Sequence, residues 1–227
     1  MENKTIAIIQ ARLTSKRFPN KIIQKLETNT LIEFLLKRVR QSKKIDKVIL
    51  AMPNNHENKK IKKIIKNVDF FFGNEEDVLD RYYKVAKKYS ATNIIRICGD
   101  CPFVDSKIID KLLNIFVSSN FDYVSNTLKP TFPDGMDVEV FSFSVLEKAW
   151  KRAKTKSDRE HVTQYIIKNK KFKKYNYLYK KDISKIRLTI DEIVDLQQIR
   201  SVYSYLKKKK NFGVDDIYKL YIKNKKI

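Results

Sequence analysis

The feature that most constrains the fold is an alternation of short apolar runs with segments of helical periodicity. The runs are short and rich in β-branched or aromatic residues, which is typical of buried strands, and the intervals carry apolar residues at three- and four-residue spacing. This order predicts a mostly parallel sheet with helices on both faces, a single three-layer α/β domain. The predicted strands are residues 5–10, 48–52, 69–72, 93–98 and 122–125, and the predicted helices are 31–39, 58–65, 77–88 and 106–117.

The second half of the chain continues the pattern less regularly, which predicts a small β excursion beside the main sheet. Thr30 followed by Glu33, and Ser157 followed by Glu160, are both signatures of a capped helix start. Neither an internal repeat nor a linker is evident, so residues 1–227 are predicted to form one domain. Further predicted strands are 137–141, 172–179 and 186–190, and further predicted helices are 144–152, 159–168, 192–206 and 214–222.

Charge and composition narrow the function classes. The net charge of +23 invites a nucleic-acid interpretation, but lysine far outnumbers arginine and is scattered, so nucleic-acid binding is the less favoured prediction. A general attraction for anionic substrates remains. No apolar stretch reaches the roughly 18–20 residues that cross a bilayer, and two cysteines cannot build a disulfide framework. We therefore expect a cytoplasmic protein without a membrane partner.

A basic segment directly follows the first predicted strand. In parallel sheets, ligands bind beyond the carboxyl ends of the strands, so this segment lies where a ligand is expected. Its cations and hydroxyls suit a polyphosphate, although it matches neither a dinucleotide fingerprint nor a P-loop; a solvated basic turn is the alternative. The segment reads ARLTSKRFPNK and contains Arg12, Thr14, Ser15, Lys16, Arg17 and Lys21.

Two aspartates follow predicted strands at this same edge. Asp100 comes after the strand that ends at Cys98, and Asp191 after the strand predicted at 186–190. Two carboxylates at neighbouring strand ends can share a hard cation such as Mg²⁺, which bridges nucleotide phosphates. Asp191 could equally be a helix N-cap, and Asp105 is better explained as one. Cys98 and Cys101 lack the partners of a zinc site.

Two more polar groups are candidates for substrate contacts. Asp134, Asp137 and Glu139 cluster around a glycine in FPDGMDVEVF, as an acceptor-side wall or as a turn that leads into a strand. Arg159 and His161 open a predicted helix, where they could hydrogen-bond a substrate or serve only a structural purpose. His161, Asp137 and a metal-bound water all remain candidates for a general base.

In order along the chain, these segments resemble the cytidylyltransferases of the spore-coat polysaccharide SpsF type, relatives of the acylneuraminate and Kdo cytidylyltransferases. The likeness spans nearly the whole chain. Thr14 and Asn20 stand where glycine is common in that family. The segments are IIQARLTSKRFPNK, GNEEDVLDRYY, RICGDCPFVD, FPDGMDVEVFS, REHVTQYI and RLTIDEIVDL.

The resemblance implies a GT-A-like, Rossmann-like nucleotidyltransferase that joins CMP from CTP to an acidic, nonulosonic-type sugar and releases pyrophosphate for glycan synthesis. It further implies a homodimer and a Mg²⁺ ion on Asp100 and Asp191. By the same resemblance, the expected nucleotide contacts are Ala11, Arg12, Ser15, Arg17, Lys21 and Asp100, with catalysis by Arg12, Lys21, Asp100 and Asp191. The expected substrate contacts are Asp80, Arg81, Asp134, Asp137, Glu139, Arg159 and His161.

Three alternatives remain open at this point. The first keeps CTP but transfers CMP to a phosphonate or a phosphorylated small molecule. The second is a nucleotide-sugar glycosyltransferase, which the segment GDCP disfavours because no second acid follows until Asp105. The third is a basic nucleic-acid-binding protein, whose affinity would depend steeply on salt and not on Asp100.

Overall fold

A computed structural model of the chain describes residues 3–209 and 211–224, and the predicted alternation folds into one α/β domain around a central sheet. The buried runs near the N-terminus form the strands as predicted, to within a residue or two at either end. The strands are β1 (Thr5–Gln10), β2 (Lys25–Leu26), β3 (Asn29–Thr30), β4 (Lys47–Pro53), β5 (Asp69–Gly73), β6 (Asn93–Cys98), β7 (Tyr123–Ser125), β8 (Glu139–Ser142) and β9 (Lys174–Asn176).

The main sheet has the order β5-β4-β1-β6-β8-β7-β9. The first four of these strands are parallel to one another, whereas β8 is antiparallel to both of its neighbours. The strand β9 is parallel to β7 and closes the order on that side. The short β2–β3 pair forms a separate antiparallel hairpin. The sheet is therefore mostly parallel, as the alternation predicts.

Helices cover both faces of this sheet, because its strands are apolar on both sides. Alternate residues of β1 divide between two cores: Ala7 and Ile9 belong to one, Ile6 and Ile8 to the other. The helices are α1 (Leu31–Val39), α2 (His56–Lys59), α3 (Ile61–Ile64), α4 (Val78–Lys88), α5 (Ser106–Val117), α6 (Phe143–Arg152), α7 (Lys156–Glu160), α8 (Gln164–Lys168), α9 (Ile193–Leu206) and α10 (Val214–Asn224).

The helix starts follow from local side-chain chemistry. Thr30 and Glu33 form the predicted capping box at α1. Asp105 caps α5 by accepting a hydrogen bond from the Lys107 N–H at 2.9 Å, as its helix-cap interpretation predicts. The second predicted capping box is wrong, since Thr155 rather than Ser157 is the N-cap of α7.

Four predicted elements are also wrong in extent or kind. The strand predicted at 172–179 is only the three residues of β9. Residues 186–190 form no strand; only a single bridge joins Asp134 to Arg187. The helix predicted at 58–65 is two short helices, α2 and α3. The helix predicted at 159–168 is interrupted between α7 and α8, where Val162 adopts a positive φ of 58°. Apolar spacing does not register such local breaks in the backbone.

Within residues 3–209 and 211–224, no helix combines the length and apolar character that crossing a bilayer requires. The lysine run at 207–210 follows α9, and its last member, Lys210, lies outside the described residues.

Candidate active site

The carboxyl ends of β1 and β6 meet at one edge of the sheet, where the backbones approach closely. The Gly99 N–H donates to the Gln10 carbonyl at 2.8 Å. A Cβ at position 99 would lie 2.7 Å from the Ala11 Cβ, so only glycine fits. This contact brings the basic segment after β1 beside Asp100, as the parallel order predicts.

Lys21 forms the centre of the site. Its side chain is almost entirely buried, and its ammonium donates to Asp100 Oδ2 at 2.8 Å, to the Ile190 carbonyl at 2.6 Å and to Asp191 Oδ1 at 3.2 Å. An ammonium has three N–H donors, and these three oxygens account for all of them. The structure thus brings Asp100 and Asp191 together through Lys21.

Asp191 is also held by two arginines. The Arg17 guanidinium lies 2.9 Å from Asp191 Oδ1, and Arg187 donates to Asp191 Oδ2 at 2.9 Å. Burial alone would raise the pKa of Asp191, but Lys21, Arg187 and Arg17 together hold it below its usual value. Asp191 is therefore a charged carboxylate over the working range of pH.

Arg187 ties the end of this segment to the start of α9. It donates to Asp195 Oδ1 at 3.0 Å and to Asp134 Oδ2 at 2.8 Å, in addition to Asp191. Asp195 in turn accepts from the Asp191 N–H at 2.7 Å. The pKa of Arg187 is raised, mainly by its hydrogen bond to Asp195. Sequence reasoning gave Arg187 no part in the site, although it opens the motif RLTID.

Hydrogen bonds hold the loop between Gln10 and Lys21 in position. The Leu13 N–H donates to Oδ1 of the fully buried Asn58 at 2.7 Å, and the Asn20 N–H donates to the Leu13 carbonyl at 2.8 Å. Asn20 has a φ of 60°, the left-handed conformation that Asn tolerates, which explains how it stands where glycine is common. Asn58 was missed because a polar residue in a helical pattern carries no signal of such a contact.

The residues of this loop differ in solvent exposure. Ala11 and Ser15 are buried, whereas Arg12, Lys16 and Arg17 are exposed. In the described part of the chain, no carboxylate lies within ion-pair distance of Arg12 or Lys16. Two cations of the loop are thus available to an anionic ligand, while Arg17 and Lys21 are engaged with carboxylates.

The cluster around Gly135 lies beside this network. The bridge between Asp134 and Arg187 brings the two backbone segments close together. A Cβ at Gly135 would lie 2.5 Å from the Leu188 carbonyl carbon, so this approach requires glycine. Glu139 is buried, forms an ion pair with Arg96 and accepts from the Tyr123 hydroxyl at 2.8 Å. Sequence reasoning missed Arg96. A charged residue within an otherwise apolar strand could have indicated it.

Asp137 stands apart from these pairs. Its side chain is half-buried, and the described residues provide no hydrogen-bond donor to its carboxylate. Burial raises the pKa of Asp137 to about 7, and the neighbouring charges of Asp134 and Glu139 add to the effect. Asp137 therefore changes its charge near neutral pH.

Four further predicted substrate residues lie on or beside α4 and α7. Asp80 accepts from the Trp150 indole at 3.0 Å, and the buried Arg81 donates to the Asn74 carbonyl at 2.7 Å. Arg159 donates from its Nε to Asp77 at 2.9 Å, and His161 is exposed at the end of α7. These contacts join α4 to α6 and α7; substrate binding by these four residues stays a prediction.

Asp100 and Asp191 fit a Mg²⁺ ion in donor chemistry. Mg²⁺ is commonly bound by one or two carboxylates together with substrate phosphates and water. Both side chains remain partly exposed, at 29% and 25%, so the pair is accessible from the loop side. No group of three or more His, Cys, Asp or Glu side chains that could hold a metal ion occurs among the residues described.

The two cysteines lie next to Asp100 and are free thiols. Burial raises the pKa of Cys98 to about 12 and that of Cys101 well above its usual value, so both remain protonated. This state is compatible with their interpretation as incidental residues rather than metal ligands.

The chain is similar to known proteins over most of its length. The model of a family described as Cytidylyltransferase matches residues 6–227. An uncharacterized protein of Methanocaldococcus jannaschii is 42% identical over 94% of this chain and 86% of its own length. The spore coat polysaccharide biosynthesis protein SpsF of Bacillus subtilis is 30% identical over 98% of this chain and 95% of its own.

A solved structure shows the same fold. The structure of a cytidylyltransferase from Leptospira borgpetersenii superimposes with a TM-score of 0.94 at 35% sequence identity, covering 98% of this chain and 95% of that chain. The match includes the sheet and the segments that build the site, because so little of either chain lies outside it.

Proposed function

The chain belongs to the cytidylyltransferase family, and from this premise we propose that it transfers CMP from CTP to a hydroxyl group of an acidic sugar. Membership makes it a CTP-dependent nucleotidyltransferase, which releases pyrophosphate. The acceptor, the metal ion and the residues that act on the nucleotide belong to the proposal. The observation that carries it is the joining of Asp100, Asp191 and Lys21 at the sheet edge, beside a loop in which two cations pair with no carboxylate of the described residues.

The loop from Ala11 to Lys21 would bind the triphosphate. The exposed Arg12 and Lys16 can neutralise phosphate oxygens without giving up an ion pair in the described structure, and Ser15 adds a hydroxyl. Arg17 would move from Asp191 toward the nucleotide. Because Arg12, Lys16 and Ser15 need no such movement, they can stabilise the charge that develops as pyrophosphate leaves.

Asp100 and Asp191 would hold Mg²⁺ against the phosphates. Such an ion supplies charge neutralisation at the α-phosphate and the leaving group. Lys21 keeps the two carboxylates at a common position, and Arg187 orients Asp191 from the opposite side. Metal binding would therefore displace at least one of the hydrogen bonds between Lys21 and the carboxylates.

The acidic sugar is supported by three observations. The similar SpsF protein is named for polysaccharide biosynthesis, and the motifs resemble those of acylneuraminate and Kdo cytidylyltransferases. The chain itself carries a net charge of +23, which attracts an acceptor bearing a carboxylate. Asp134, Asp137 and Glu139 would border the acceptor, with Arg81, Asp80, Arg159 and His161 as further candidate contacts.

By resemblance we also propose a homodimer, to be tested by light scattering.

The nucleotide half is tested by a thermal-shift panel of CTP, UTP, ATP and GTP, each with and without Mg²⁺. A ligand at a hundredfold excess over its Kd stabilises the native state by about 2.7 kcal/mol. We expect a shift that is largest for CTP with Mg²⁺ and is lost in Asp100→Ala. A shift equal for all four nucleotides, or independent of Mg²⁺, would contradict the proposal.

The acceptor half is tested by pyrophosphate release from CTP and Mg²⁺. The probes are N-acetylneuraminate and 3-deoxy-manno-octulosonate as acidic sugars, and 2-aminoethylphosphonate as a phosphonate. We expect release with at least one sugar acid. Release with the phosphonate alone would replace the acidic-sugar proposal with the phosphonate alternative.

A further inference from the structure

The carboxylates at the sheet edge differ in whether a cation neutralises them. We define the edge carboxylates as Asp100, Asp134, Asp137, Glu139 and Asp191. Four of them have a cationic partner: Lys21 for Asp100, Arg187 for Asp134, Arg96 for Glu139, and Lys21, Arg17 and Arg187 for Asp191.

Asp137 is the exception in the described part of the chain. The structure gives its carboxylate neither an ion pair nor a hydrogen bond, whereas Asp134 pairs with Arg187 and Glu139 pairs with Arg96. A carboxylate without a partner keeps its lone pairs free, and it gains more from accepting a proton than one already paired with a cation. Asp137 is thus the edge carboxylate best prepared to accept a proton.

Its segment lies beside the proposed metal-binding carboxylates. Three residues before it, Asp134 pairs with Arg187, which also holds Asp191. The pairing of β8 with β6 ends at Glu139 and Arg96, so Asp137 lies two residues beyond it, toward the end of β6 that leads to Asp100. The charges of Asp137 and Asp100 both contribute to the raised pKa of the Cys98 thiol, in agreement with that proximity.

The groups that face Asp137 are mostly acidic. Asp134 and Glu139 come from its own segment, Asp100 follows β6, and Arg96 is the cation on β6. Arg96 is paired with Glu139, and the negative charge of Glu139 offsets the stabilisation that Arg96 gives to an ionised Asp137. The pKa of about 7 agrees with this arrangement.

We propose that Asp137 is the catalytic base, which takes the proton of the acceptor hydroxyl as that oxygen attacks the α-phosphorus of CTP. A bond forms between the acceptor oxygen and the α-phosphorus. The bond from the α-phosphorus to the bridging oxygen breaks, and its electron pair leaves with pyrophosphate. The proton passes to the Asp137 carboxylate, so atoms and charge balance.

This inference rests on the proposed hydroxyl acceptor. A phosphonate oxygen is already ionised at neutral pH and would need no base. The other candidates have less support: Asp100 and Asp191 are occupied by cations, and His161 is exposed at the end of α7. Base catalysis of this kind typically contributes 10²- to 10⁴-fold in rate.

The test compares the full-length wild-type protein with Asp137→Asn, which keeps the shape of the side chain. The matched control is Asp182→Asn, which changes an exposed aspartate outside the site. We expect kcat with the sugar acid to fall at least 100-fold in Asp137→Asn, while the Kd for CTP with Mg²⁺ changes less than threefold. The acidic limb of the wild-type pH–kcat profile, with an apparent pKa near 7, should disappear.

A second measurement does not depend on turnover. In ¹³C NMR of aspartate carboxyl groups, one resonance should titrate near pH 7 in the wild type and in Asp182→Asn, and be missing in Asp137→Asn. Titration of Asp137 below pH 5, or wild-type kcat in Asp137→Asn with the sugar acid, would overturn the inference. A preference for the phosphonate probe would instead show that the acceptor proposal has failed, so the two failures are distinguishable.

Discussion

At the residue scale, Lys21 shows how the structure refines a sequence prediction. The resemblance predicts nucleotide contacts for three cations of the loop after the first strand, Arg12, Arg17 and Lys21. The fold instead buries Lys21 and gives its three donors to oxygens of Asp100, Ile190 and Asp191. Its burial depends on Ile190 and Asp191, which are about 170 residues away in sequence. Local composition carries no information on such a contact.

We predict that Lys21→Met lowers the free energy of unfolding. The substitution leaves Asp100 without a cation and close to the charged Asp191. Removing one partner of a buried pair costs about 3–5 kcal/mol, and we expect about 2 kcal/mol because both carboxylates are partly exposed. Urea unfolding at pH 7 measures the loss. The exposed Lys25→Met is the control, and equal stability of the two variants would contradict the prediction.

Asp137→Asn, in contrast, is predicted to raise the free energy of unfolding. Its pKa is about 7 in the folded protein and near 3.8 when unfolded, so the folded state binds more protons between these values. Stability is therefore lost as pH rises from about 4 to 7, and Asp137→Asn avoids that loss. At 1.36 kcal/mol per pKa unit, reduced for the exposure of the group, the gain at pH 8 is about 2 kcal/mol.

The measurement is urea unfolding of the wild type and Asp137→Asn at pH 4 and pH 8. The groups whose pKa values are lowered, such as Asp191 and Asp195, affect both proteins equally and cancel in the comparison. We expect a stability difference at pH 8 and little at pH 4. A variant that is less stable than the wild type at pH 8 would contradict the pKa assignment.

At the scale of elements, the sequence predicted best where strands and helices are regular. The alternation found β1, β6, α1 and α5 at their observed bounds, because buried strands and amphipathic helices are periodic by geometry. It failed at 186–190, which forms one isolated bridge to Asp134 and no strand. An apolar run shows that a segment is buried, but not whether its backbone hydrogen bonds continue into a ladder.

The contact between α2 and the loop after β1 supplies the next prediction. Asn58 accepts the buried Leu13 N–H at 2.7 Å, so Asn58→Leu would leave that donor unsatisfied. The cost of such a group is about 1–3 kcal/mol, and the loop would lose its fixed position. We expect a lower free energy of unfolding and a KM for CTP raised several-fold, with kcat less affected.

Urea unfolding and steady-state kinetics measure the two effects. The exposed Asn54→Leu is a matched control, since it adds the same side chain four residues away without removing a partner of Leu13. Should Asn58→Leu raise KM no more than this control does, the loop would not depend on α2 for its position.

At the scale of the whole molecule, the net charge of +23 has to be reconciled with a site that is rich in carboxylates. The acids converge at the sheet edge, where Lys21, Arg17, Arg187 and Arg96 neutralise them. The remaining lysines are distributed over separate elements, including α2, α3 and the segment before β9. Sequence composition reports the total charge, but only the fold separates the paired cations from the solvated ones.

This separation predicts two independent kinds of anion binding. Non-specific binding of a single-stranded oligonucleotide should weaken steeply with salt, toward a Kd of about 10⁻⁶–10⁻⁴ M at physiological ionic strength, because it depends on dispersed lysines. CTP binding should instead depend on the site. Asp100→Ala should thus abolish the CTP-dependent thermal shift while leaving the oligonucleotide Kd within twofold of the wild type.

Fluorescence anisotropy at 50 and 200 mM NaCl, together with the thermal shift, tests this prediction. Lys59→Gln combined with Lys60→Gln, both exposed at the end of α2, should reduce the salt dependence of oligonucleotide binding without affecting the CTP shift. Oligonucleotide binding that is tight at 200 mM NaCl, or that is lost in Asp100→Ala, would contradict the prediction. Either result would mean that the protein has a defined nucleic-acid site, since dispersed and solvated lysines cannot produce salt-resistant or site-dependent affinity.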